Sequence, residues 1–511
     1  MRISRRKFLQ SGSAALIGLS IKSDRPIAGG FVNDSFEMGH KLRDRVQFPV
    51  PKKSEKQKVV IVGGGIAGLS AAWRLQKRGF RDFVLLEMNE QPGGNARWGE
   101  NEITAYPWAA HYVPVPGPKA TYVRELFEEL GVLKDGVWNE RFLCFTAQER
   151  LFLYGRWQDG IEPAVGLNDY DRDHFRRLEG EIHSFRASGG FTIPVERGLS
   201  RAHAALDQMS FSEWLRGKNL NSRILNWYMD YCCRDDYGAL ASETSAWAGI
   251  HYFASREPEE KGPLTWPEGN GWIVKRLLER VGPFVQSGQM VHRIARKGRR
   301  FTVFAGTTEY DTEFVIFAAP TFLAPYLIEG FAPIHDFEYS PWLTANLTLE
   351  RLPNDYGPDL TWDNVVMNSP TLGYVDAMHQ SLQNHVERTV WTFYWALAEG
   401  SPAANRGLLL EKDWNYWKES ILRDLERVHP DIRSCVSRID IMRFGHAMAR
   451  PKPGAIFHEQ RRKLTTLDGA LLFANSDLSG FSIFEEAQYR GVRAAEKVLR
   501  HLGGEKTELP G

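Results

Sequence analysis

Cysteine and an excess of one charge are what this chain most clearly lacks. It has four cysteines in 511 residues, which is too few for a disulfide scaffold. Its 64 Lys and Arg residues face 63 Asp and Glu residues, so the formal net charge is +1. Nucleic-acid binders usually carry a basic excess, and this balance therefore argues against a nucleic-acid partner. Aromatic residues are the abundant class, at 12%.

Further absences narrow the chemistry. No apolar run reaches the ~20 residues that cross a bilayer, so we expect no stable membrane span. Histidine, cysteine and carboxylate residues nowhere have metal-ligand spacing, and no C-x-x-C motif is present. The sequence therefore predicts neither a metal site nor disulfide-reductase chemistry. We interpret the adjacent Cys232 and Cys233 as buried thiols.

The first thirty residues are predicted to be an export signal. Residues 4–9 (Ser-Arg-Arg-Lys-Phe-Leu) resemble the twin-arginine signal, and an uncharged run at residues 8–21 follows the basic residues. The resemblance implies export of the folded protein by the twin-arginine translocase and a periplasmic location. Residues 1–30 are accordingly assigned to the signal, and the polar residues 31–57 to a linker.

A glycine-rich turn between a predicted strand and a predicted helix is the strongest motif. The β-branched run at residues 58–62 predicts a buried parallel strand, residues 69–78 have helical composition, and residues 83–86 predict a second strand. The turn has the G-x-G-x-x-G spacing, with its glycines at Gly63, Gly65 and Gly68. This order of elements is typical of a dinucleotide-binding fold.

Each part of the motif has a physical role. Gly63 permits the tight turn, Gly65 lets the backbone approach a pyrophosphate, and Gly68 lets helix and strand pack closely. The helix begins near Ile66 and Ala67, where its N–H groups and partial positive charge face the phosphates. The second strand ends at Glu87, which is expected to accept hydrogen bonds from ribose hydroxyls.

The residues after the second strand indicate which dinucleotide binds. The pair Gly93 and Gly94, followed by Asn95 and Arg97, resembles the FAD-binding signature of the flavin amine oxidase superfamily. That superfamily includes amine oxidases, phytoene desaturases and protoporphyrinogen oxidases. The resemblance implies that the glycine pair lies along FAD and that Arg97 supplies a charge, although the superfamily more often has arginine at the position of Asn95. The chain lacks the C-terminal cysteine before the last helix that binds flavin covalently in some members of the superfamily, so the resemblance implies non-covalent FAD.

The resemblance continues in two later segments and fixes the predicted fold class. It implies that Val291 contacts the adenine through its backbone, that Asp477 lies against the ribityl chain or phosphates, and that the helix beginning near Phe484 faces the flavin. The predicted fold is α/β, with a Rossmann-like FAD-binding domain assembled from three segments and an α+β substrate (cap) domain. The FAD-binding segments are 58–110, 262–320 and 440–503, the substrate domain is 111–261 and 321–439, and the tail is 504–511.

Candidate catalytic residues follow from the resemblance. It places the substrate between the two domains, and His111 and His446 lie in segments that run beside the flavin. Many amine oxidases carry a lysine in the strand after the mid-chain Ala-Pro segment, but residues 340–349 contain none. Thr344 or Asn346 is expected at that place.

The adjacent Asp235 and Asp236 have two interpretations. They either hold a cationic amine or are solvated charges at a helix end, and solvated charges are the expected outcome.

The sequence therefore predicts an exported FAD-dependent oxidoreductase of the amine oxidase type. A small-molecule substrate would pass a hydride to flavin N5, and an unidentified acceptor would reoxidise the flavin. Two alternatives stay open. A desaturase or isomerase of an apolar polyene is favoured by the aromatic content and the missing lysine. The other alternative is a non-catalytic FAD-bound assembly or binding protein.

Overall fold

A computed structural model describes residues 26–503 except 33–34, 145–147, 257–261, 335–336 and 384–385. The predicted export signal up to residue 25 and the predicted tail lie outside the described residues. No helix in the described ranges is long and apolar enough to cross a membrane. All four cysteines are buried as free thiols.

In the described residues, runs of strands and runs of helices follow one another along the chain. The strands are β1 (Ala28–Phe31), β2 (Lys53–Val62), β3 (Phe83–Leu86), β4 (Trp98–Glu100), β5 (Ala105–Pro107), β6 (Tyr112–Val113), β7 (Leu133–Lys134), β8 (Val137–Trp138), β9 (Glu149–Leu153), β10 (Arg156–Asp159), β11 (Leu264–Thr265), β12 (Val285–Gln286), β13 (Val291–Lys297), β14 (Arg300–Ala305), β15 (Thr308–Phe317), β16 (Tyr339–Leu349), β17 (Asp363–Val366), β18 (Gly373–Asp376), β19 (Thr389–Ala396), β20 (Val436–Ala449) and β21 (Leu471–Phe473). The α-helices are α1 (Phe36–Arg43), α2 (Ile66–Lys77), α3 (Thr121–Glu129), α4 (Asp169–Ala187), α5 (Phe211–Gly217), α6 (Arg223–Tyr237), α7 (Ala246–Ala254), α8 (Gly271–Val281), α9 (Ala324–Leu327), α10 (Pro402–Glu411), α11 (Trp414–Leu425), α12 (Ile432–Cys435), α13 (Glu459–Thr466) and α14 (Phe484–Gly503).

A parallel sheet forms one half of the molecule. Strands β12, β3, β2, β15 and β21 lie side by side in that order, and each neighbouring pair is parallel. Parallel strands are covered on both faces and are therefore continuous apolar runs, and all four residues of β3 are buried. The antiparallel strands β14 and β13 extend the sheet from the first half of β15. The predicted Rossmann-like α/β fold is confirmed.

The backbones of two helices beside this sheet approach each other and the glycine turn closely. Helix α2 follows the glycine turn directly, and α14 crosses it. A Cβ atom on Gly491 of α14 would lie 2.0 Å from the carbonyl oxygen of Ala67. A Cβ atom on Gly68 of α2 would lie 1.9 Å from the carbonyl oxygen of Gly63. The close approach of these elements therefore depends on the two glycines.

Gly491→Ala is expected to destabilise the protein. The added methyl group meets backbone, which cannot move aside as a side chain can, and overpacking of this kind costs ~1–3 kcal/mol. Gly180→Ala is the matched control, because Gly180 lies exposed inside α4 with no atom within 4 Å of its added Cβ. That change should stabilise by ~1 kcal/mol through helix propensity. Urea unfolding midpoints measure both, and equal midpoints for Gly491→Ala and the wild type would contradict the packing argument.

An eight-stranded mixed sheet forms the second half. Its order is β1, β20, β16, β19, β18, β17, β9 and β10, and every residue of the central strand β16 is buried. Helix α11 covers one face, where Trp417 and Ile421 join the core around Leu343 and Trp391. Helices α4 to α7 form a separate core beside the sheet.

Three predicted boundaries differ from the structure. The boundary between signal and linker at residue 30 lies inside β1, which pairs with β20. The predicted linker at residues 31–57 contains α1 and the first five residues of β2. That half of β2 is polar because it projects beyond the covering helices, yet it pairs with β15. Residue 440, the predicted start of the third FAD-binding segment, lies inside β20, which stays paired with β16 in the eight-stranded sheet as far as Ala449.

Candidate active site

A groove opens where the parallel strands end. Strands β2, β3, β15 and β21 all end at this edge, and the residues that follow each strand line the groove. Ligands of open α/β sheets bind at the carboxyl ends of the strands. The groove has a volume of about 360 Å³, and we call it the glycine groove. Among the predicted cofactor residues, its walls contain Gly63, Gly65, Ile66, Ala67, Glu87, Gly93, Gly94, Asn95, Val291, Asp477 and Phe484.

The two glycine motifs meet on the floor of the glycine groove. The N–H of Gly93 donates to the carbonyl oxygen of Gly64 at 2.8 Å, and Gly65 forms a bridge with Gly93. A Cβ atom on Gly65 would have the Cα of Gly94 as its nearest neighbour, at 4.0 Å. The floor is therefore bare backbone, which is what the close approach of a pyrophosphate requires.

Glu87 holds the glycine turn as well as lining the groove. One carboxylate oxygen accepts the N–H of Gly64 at 2.6 Å, and the other accepts the N–H of Asn89 at 2.8 Å. The second oxygen also accepts the side-chain amide of Asn89 at 2.9 Å, so the oxygen bound to Gly64 is the one that keeps a lone pair for a ligand. The ribose contact of Glu87 stays a prediction.

Three predicted cofactor residues have other positions or partners. Gly68 lies behind the groove, in the contact between α2 and the turn. Arg97 does not line the groove: its Nε donates to the carbonyl oxygen of Gly94 at 3.1 Å, and it lies on the wall of a neighbouring cavity. Asp477 accepts hydrogen bonds from the N–H and hydroxyl of Thr321 and from the hydroxyl of Tyr339, at 2.6 to 2.7 Å. It thereby ties β16 to the turn after β15, and burial raises its pKa.

A second cavity, of about 130 Å³, adjoins the glycine groove, and we call it the inner cavity. The eight-stranded sheet supplies Thr344, Asp363 and Tyr394 to its walls. The two cavities share the wall residues Asn95, Ala110, Asn270, Ala447, Ser482, Ile483 and Phe484. The aromatic and imidazole rings of the inner cavity belong to His111, Tyr112, Tyr231, Trp342, Tyr394, Phe444 and Phe484. A substrate in this cavity would therefore lie beside whatever occupies the groove.

His111 presents a proton acceptor to the inner cavity. Its Nδ1 lies 3.2 Å from the carbonyl oxygen of Ala109, which only accepts, so the neutral ring carries its proton on Nδ1 and its lone pair on Nε2. Burial lowers the pKa of His111 to about 4, and the ring is neutral at pH 7. Its centroid lies 4.7 Å from that of Tyr394.

The structure does not bring His446 into the same cavity. Its exposed surface faces the glycine groove and the neighbouring cavity that Arg97 lines. The ring stacks on Phe322 with centroids 4.2 Å apart. Burial and the charge of Arg406 lower its pKa to about 4.

Acidic side chains form one end of the inner cavity. Asp235 and Asp236, at the end of α6, face it together with Asp363 of β17 and the single guanidinium of Arg256. The Arg256 guanidinium holds both oxygens of Asp236, at 3.0 and 3.2 Å. Burial and the neighbouring Asp236 raise the pKa of Asp235 to about 7, and burial raises that of Asp363. The expectation of solvated charges is therefore wrong: Asp236 is 7% exposed.

The strand that lacks a lysine contributes a hydroxyl to the inner cavity. Thr344 lies on the wall, and its hydroxyl donates to the carbonyl oxygen of Trp108 at 2.6 Å. Asn346 lies inside the sheet, where its amide donates to the carbonyl oxygen of Pro107 at 3.1 Å. Neither the groove nor the inner cavity has a lysine among its described wall residues.

Asn270 is a wall residue that the sequence reasoning missed. Its amide nitrogen donates to the carbonyl oxygen of Tyr112 at 3.1 Å, which fixes the orientation of the amide. Its Oδ1 is buried, with no hydrogen-bond partner in the described chain. A buried unsatisfied acceptor costs ~1–3 kcal/mol, and an N–H of a bound group, such as that of an isoalloxazine ring, would remove this cost. The sequence feature that could have indicated Asn270 is the turn at residues 267–271, whose Gly-Asn-Gly leads into α8.

Comparison with known proteins agrees with this geometry. Residues 61–130 match the family described as an NAD(P)-binding Rossmann-like domain. The structure of putrescine oxidase bound to putrescine matches with a TM-score of 0.67 and 18% identity, over 87% of this chain and 99% of that chain. The chain has the fold of an amine oxidase.

Other similar proteins have different chemistry. The CLA-producing fatty acid isomerase from P. acnes matches with a TM-score of 0.61 and 13% identity, over 86% of this chain and 98% of that chain. Protein FLOWERING LOCUS D of Arabidopsis thaliana is 23% identical over 304 residues, which is 58% of this chain and 34% of that protein. The chain spans between 10% and 38% of the length of FLOWERING LOCUS D and the other curated relatives that it matches. An oxidase and an isomerase thus share the fold, so the fold alone does not determine the reaction.

Proposed function

We propose that this chain is an exported FAD-dependent oxidoreductase of the amine oxidase type, acting on a cationic amine. The observation that carries the proposal is the acidic end of the inner cavity, which adjoins a groove suited to a dinucleotide. Among the described wall residues, four carboxyl groups (Glu485 is the fourth) accompany one guanidinium. Once Asp235 is charged, a protonated amine is therefore the complementary ligand. Export rests on the twin-arginine-like residues 4–9.

The glycine groove has the features needed for FAD. The bare backbone at Gly65 and Gly94 would admit the pyrophosphate, the start of α2 would face the phosphates, and Glu87 would accept a ribose hydroxyl. Bound FAD would supply the chemistry by accepting a hydride from the substrate carbon at flavin N5. No cysteine lines the groove in the described residues, which supports non-covalent FAD.

The inner cavity would orient the amine and remove its proton. The carboxylate of Asp235 attracts the ammonium group, and its raised pKa makes it a proton acceptor near neutral pH. The Nε2 lone pair of His111 accepts an N–H of the substrate. The rings of Tyr394 and Trp342 exclude bulk water from the reacting carbon.

A second candidate is a desaturase or isomerase of an apolar polyene. The ring-lined inner cavity, the missing lysine and the shared fold of the fatty acid isomerase favour it. The carboxyl groups weigh against it, because an apolar ligand would offer these buried polar groups no hydrogen-bond partner.

Anaerobic flavin reduction tests these functions. The purified protein should be yellow and should release FAD on denaturation. Primary amines should bleach the flavin, and an unsaturated fatty acid or a carotenoid should be unchanged under the same conditions. A folded but flavin-free protein would contradict the central proposal. Conversion of the polyene without amine-dependent bleaching would favour the second candidate, and no reaction with either would favour a non-catalytic FAD-bound binding or assembly protein.

A further inference from the structure

A third cavity, of about 630 Å³, opens beside the glycine groove under α1. Its walls come from α1, from the segment around α9, from α10 and from the end of β20. We call it the basic cavity, because its ionisable wall residues are Arg43, Arg97, Arg406, Arg443, His40 and His446, with no Asp or Glu among the described wall residues. The proposed amine oxidation leaves this cavity without a role.

The positive charge of the basic cavity centres on Arg406, because Arg43 is already paired with Asp44 at 2.7 Å. Arg406 donates to the carbonyl oxygen of Tyr339 at 3.3 Å. Its neighbouring carboxylate is Glu338, which already bridges Arg450 at 3.0 Å. Because carbonyl oxygens carry no net charge, the wall stays positive around Arg406.

His446 reports the same positive environment, and Arg443 lies on the same wall. The guanidinium of Arg443 donates to the carbonyl oxygen of Leu409 at 2.9 Å and lies 3.8 Å from the ring centroid of Phe31. The charge of Arg406 adds to burial in lowering the pKa of His446. An anion in the cavity would relieve this repulsion.

The rest of the wall is apolar. Phe36, Phe322, Leu323 and Leu409 line the interior, and Leu410, which is 44% exposed, extends the apolar wall toward solvent. The cavity is far larger than an inorganic ion needs. It therefore matches a molecule with an anionic head and an apolar body.

The basic cavity is distinct from the predicted phosphate site of the dinucleotide. None of residues 63–68 lines it, and the two cavities meet only at Leu42, Met88, Leu323 and His446. A ligand in the basic cavity would thus lie against the edge of the glycine groove.

We propose that the basic cavity binds an organic anion with an apolar body, either an alkyl carboxylate or an alkyl phosphate. The guanidinium of Arg406 holds the head through charge-assisted hydrogen bonds, and the rings of Phe36 and Phe322 contact the body. The proposal is independent of amine oxidation, because binding at this cavity requires no turnover.

Titration calorimetry of the purified full chain tests the site. Decanoate, decyl phosphate, inorganic phosphate and decyltrimethylammonium are titrated below their micelle concentrations. At least one of the two alkyl anions should bind saturably at one site, and the stronger of them identifies the head group. Inorganic phosphate should bind at least tenfold more weakly, and the alkyl cation should not bind. Equal binding of the cation and the anions would overturn the proposal.

Variants separate this cavity from other basic surface. Arg406→Gln should weaken the alkyl anion at least tenfold, and Arg406→Lys should restore part of the affinity because it keeps the charge. Leu410→Ser, at an exposed position, should weaken decanoate or decyl phosphate without changing inorganic phosphate. Arg388→Gln is the matched control, since Arg388 lies at a distant surface paired with Glu102 at 2.8 Å. Unchanged affinity in both Arg406→Gln and Leu410→Ser would show that the anion binds elsewhere.

Discussion

Gly65→Val is expected to give a folded protein that does not retain FAD. Gly65 has φ −74° and ψ −176°, an extended conformation that valine adopts without strain. The nearest atom to its added Cβ is the Cα of Gly94 at 4.0 Å, so the Cβ atom meets no close contact in the flavin-free protein. It would occupy the bare floor of the glycine groove, where the pyrophosphate must approach. Flavin absorbance per protein should fall at least tenfold.

The control for this variant is Gly68→Val, three residues further along the same motif. Its Cβ would lie 1.9 Å from the carbonyl oxygen of Gly63, so this change should lower the unfolding midpoint as well as the flavin content. Gly65→Val should change the free energy of unfolding of the flavin-free protein by ~1 kcal/mol or less, as expected for a change at a helix N-cap. Full flavin occupancy in Gly65→Val would show that the glycine motif is misinterpreted.

The glycine motif could be predicted because its requirements are local. The spacing of Gly63, Gly65 and Gly68 determines where backbone can approach backbone, and a short β-branched run is enough to predict the strand before it. The structure places these residues at the sheet edge where the pattern predicts them.

Side chains set by distant parts of the chain could not be predicted in the same way. Arg97 turns toward the Sδ of Met442, at 3.6 Å, rather than toward the groove. Asp477 is held by Thr321 and Tyr339, more than 130 residues away. Asp236 is buried because α6 packs under the inner cavity, whereas the charged sequence 234–236 alone is typical of a solvated helix end.

Asp235→Asn is expected to lower kcat/KM for amines about 100-fold above pH 8, which is ~2.7 kcal/mol. The raised pKa of about 7 means that Asp235 is neutral well below pH 7 and charged above it, while an alkylamine stays protonated through this range. The wild-type KM should therefore fall as the pH rises through 7. The variant should lack this change and should approach the wild type below pH 6, where both side chains are uncharged. Steady-state kinetics between pH 5.5 and 9 measure this.

Asp235→Asn should raise the stability of the protein above pH 7, although it lowers the activity toward amines there. Asp236, Asp363 and Arg256 face the same end of the inner cavity, and burial next to Asp236 is what disfavours the charged form of Asp235. Between the unfolded pKa of ~4 and the folded pKa of about 7, only the native state holds the proton, so stability falls by up to ~1.4 kcal/mol per pH unit as the pH rises. The variant removes this slope and should be the more stable protein above pH 7.

Asp376→Asn is the control that separates charge in the cavity from burial of an acid. Burial also raises the pKa of Asp376, to about 6, but its carboxylate accepts the hydroxyl of Thr389 and does not line the inner cavity. This variant should alter the pH dependence of stability and leave the KM for amines unchanged. An unchanged KM in Asp235→Asn above pH 8 would instead mean that the acidic end of the cavity does not recognise the amine. Asp235 is thus expected to stabilise the bound amine while it destabilises the empty protein. This combination indicates a role in binding, because packing alone would favour an uncharged amide at this position.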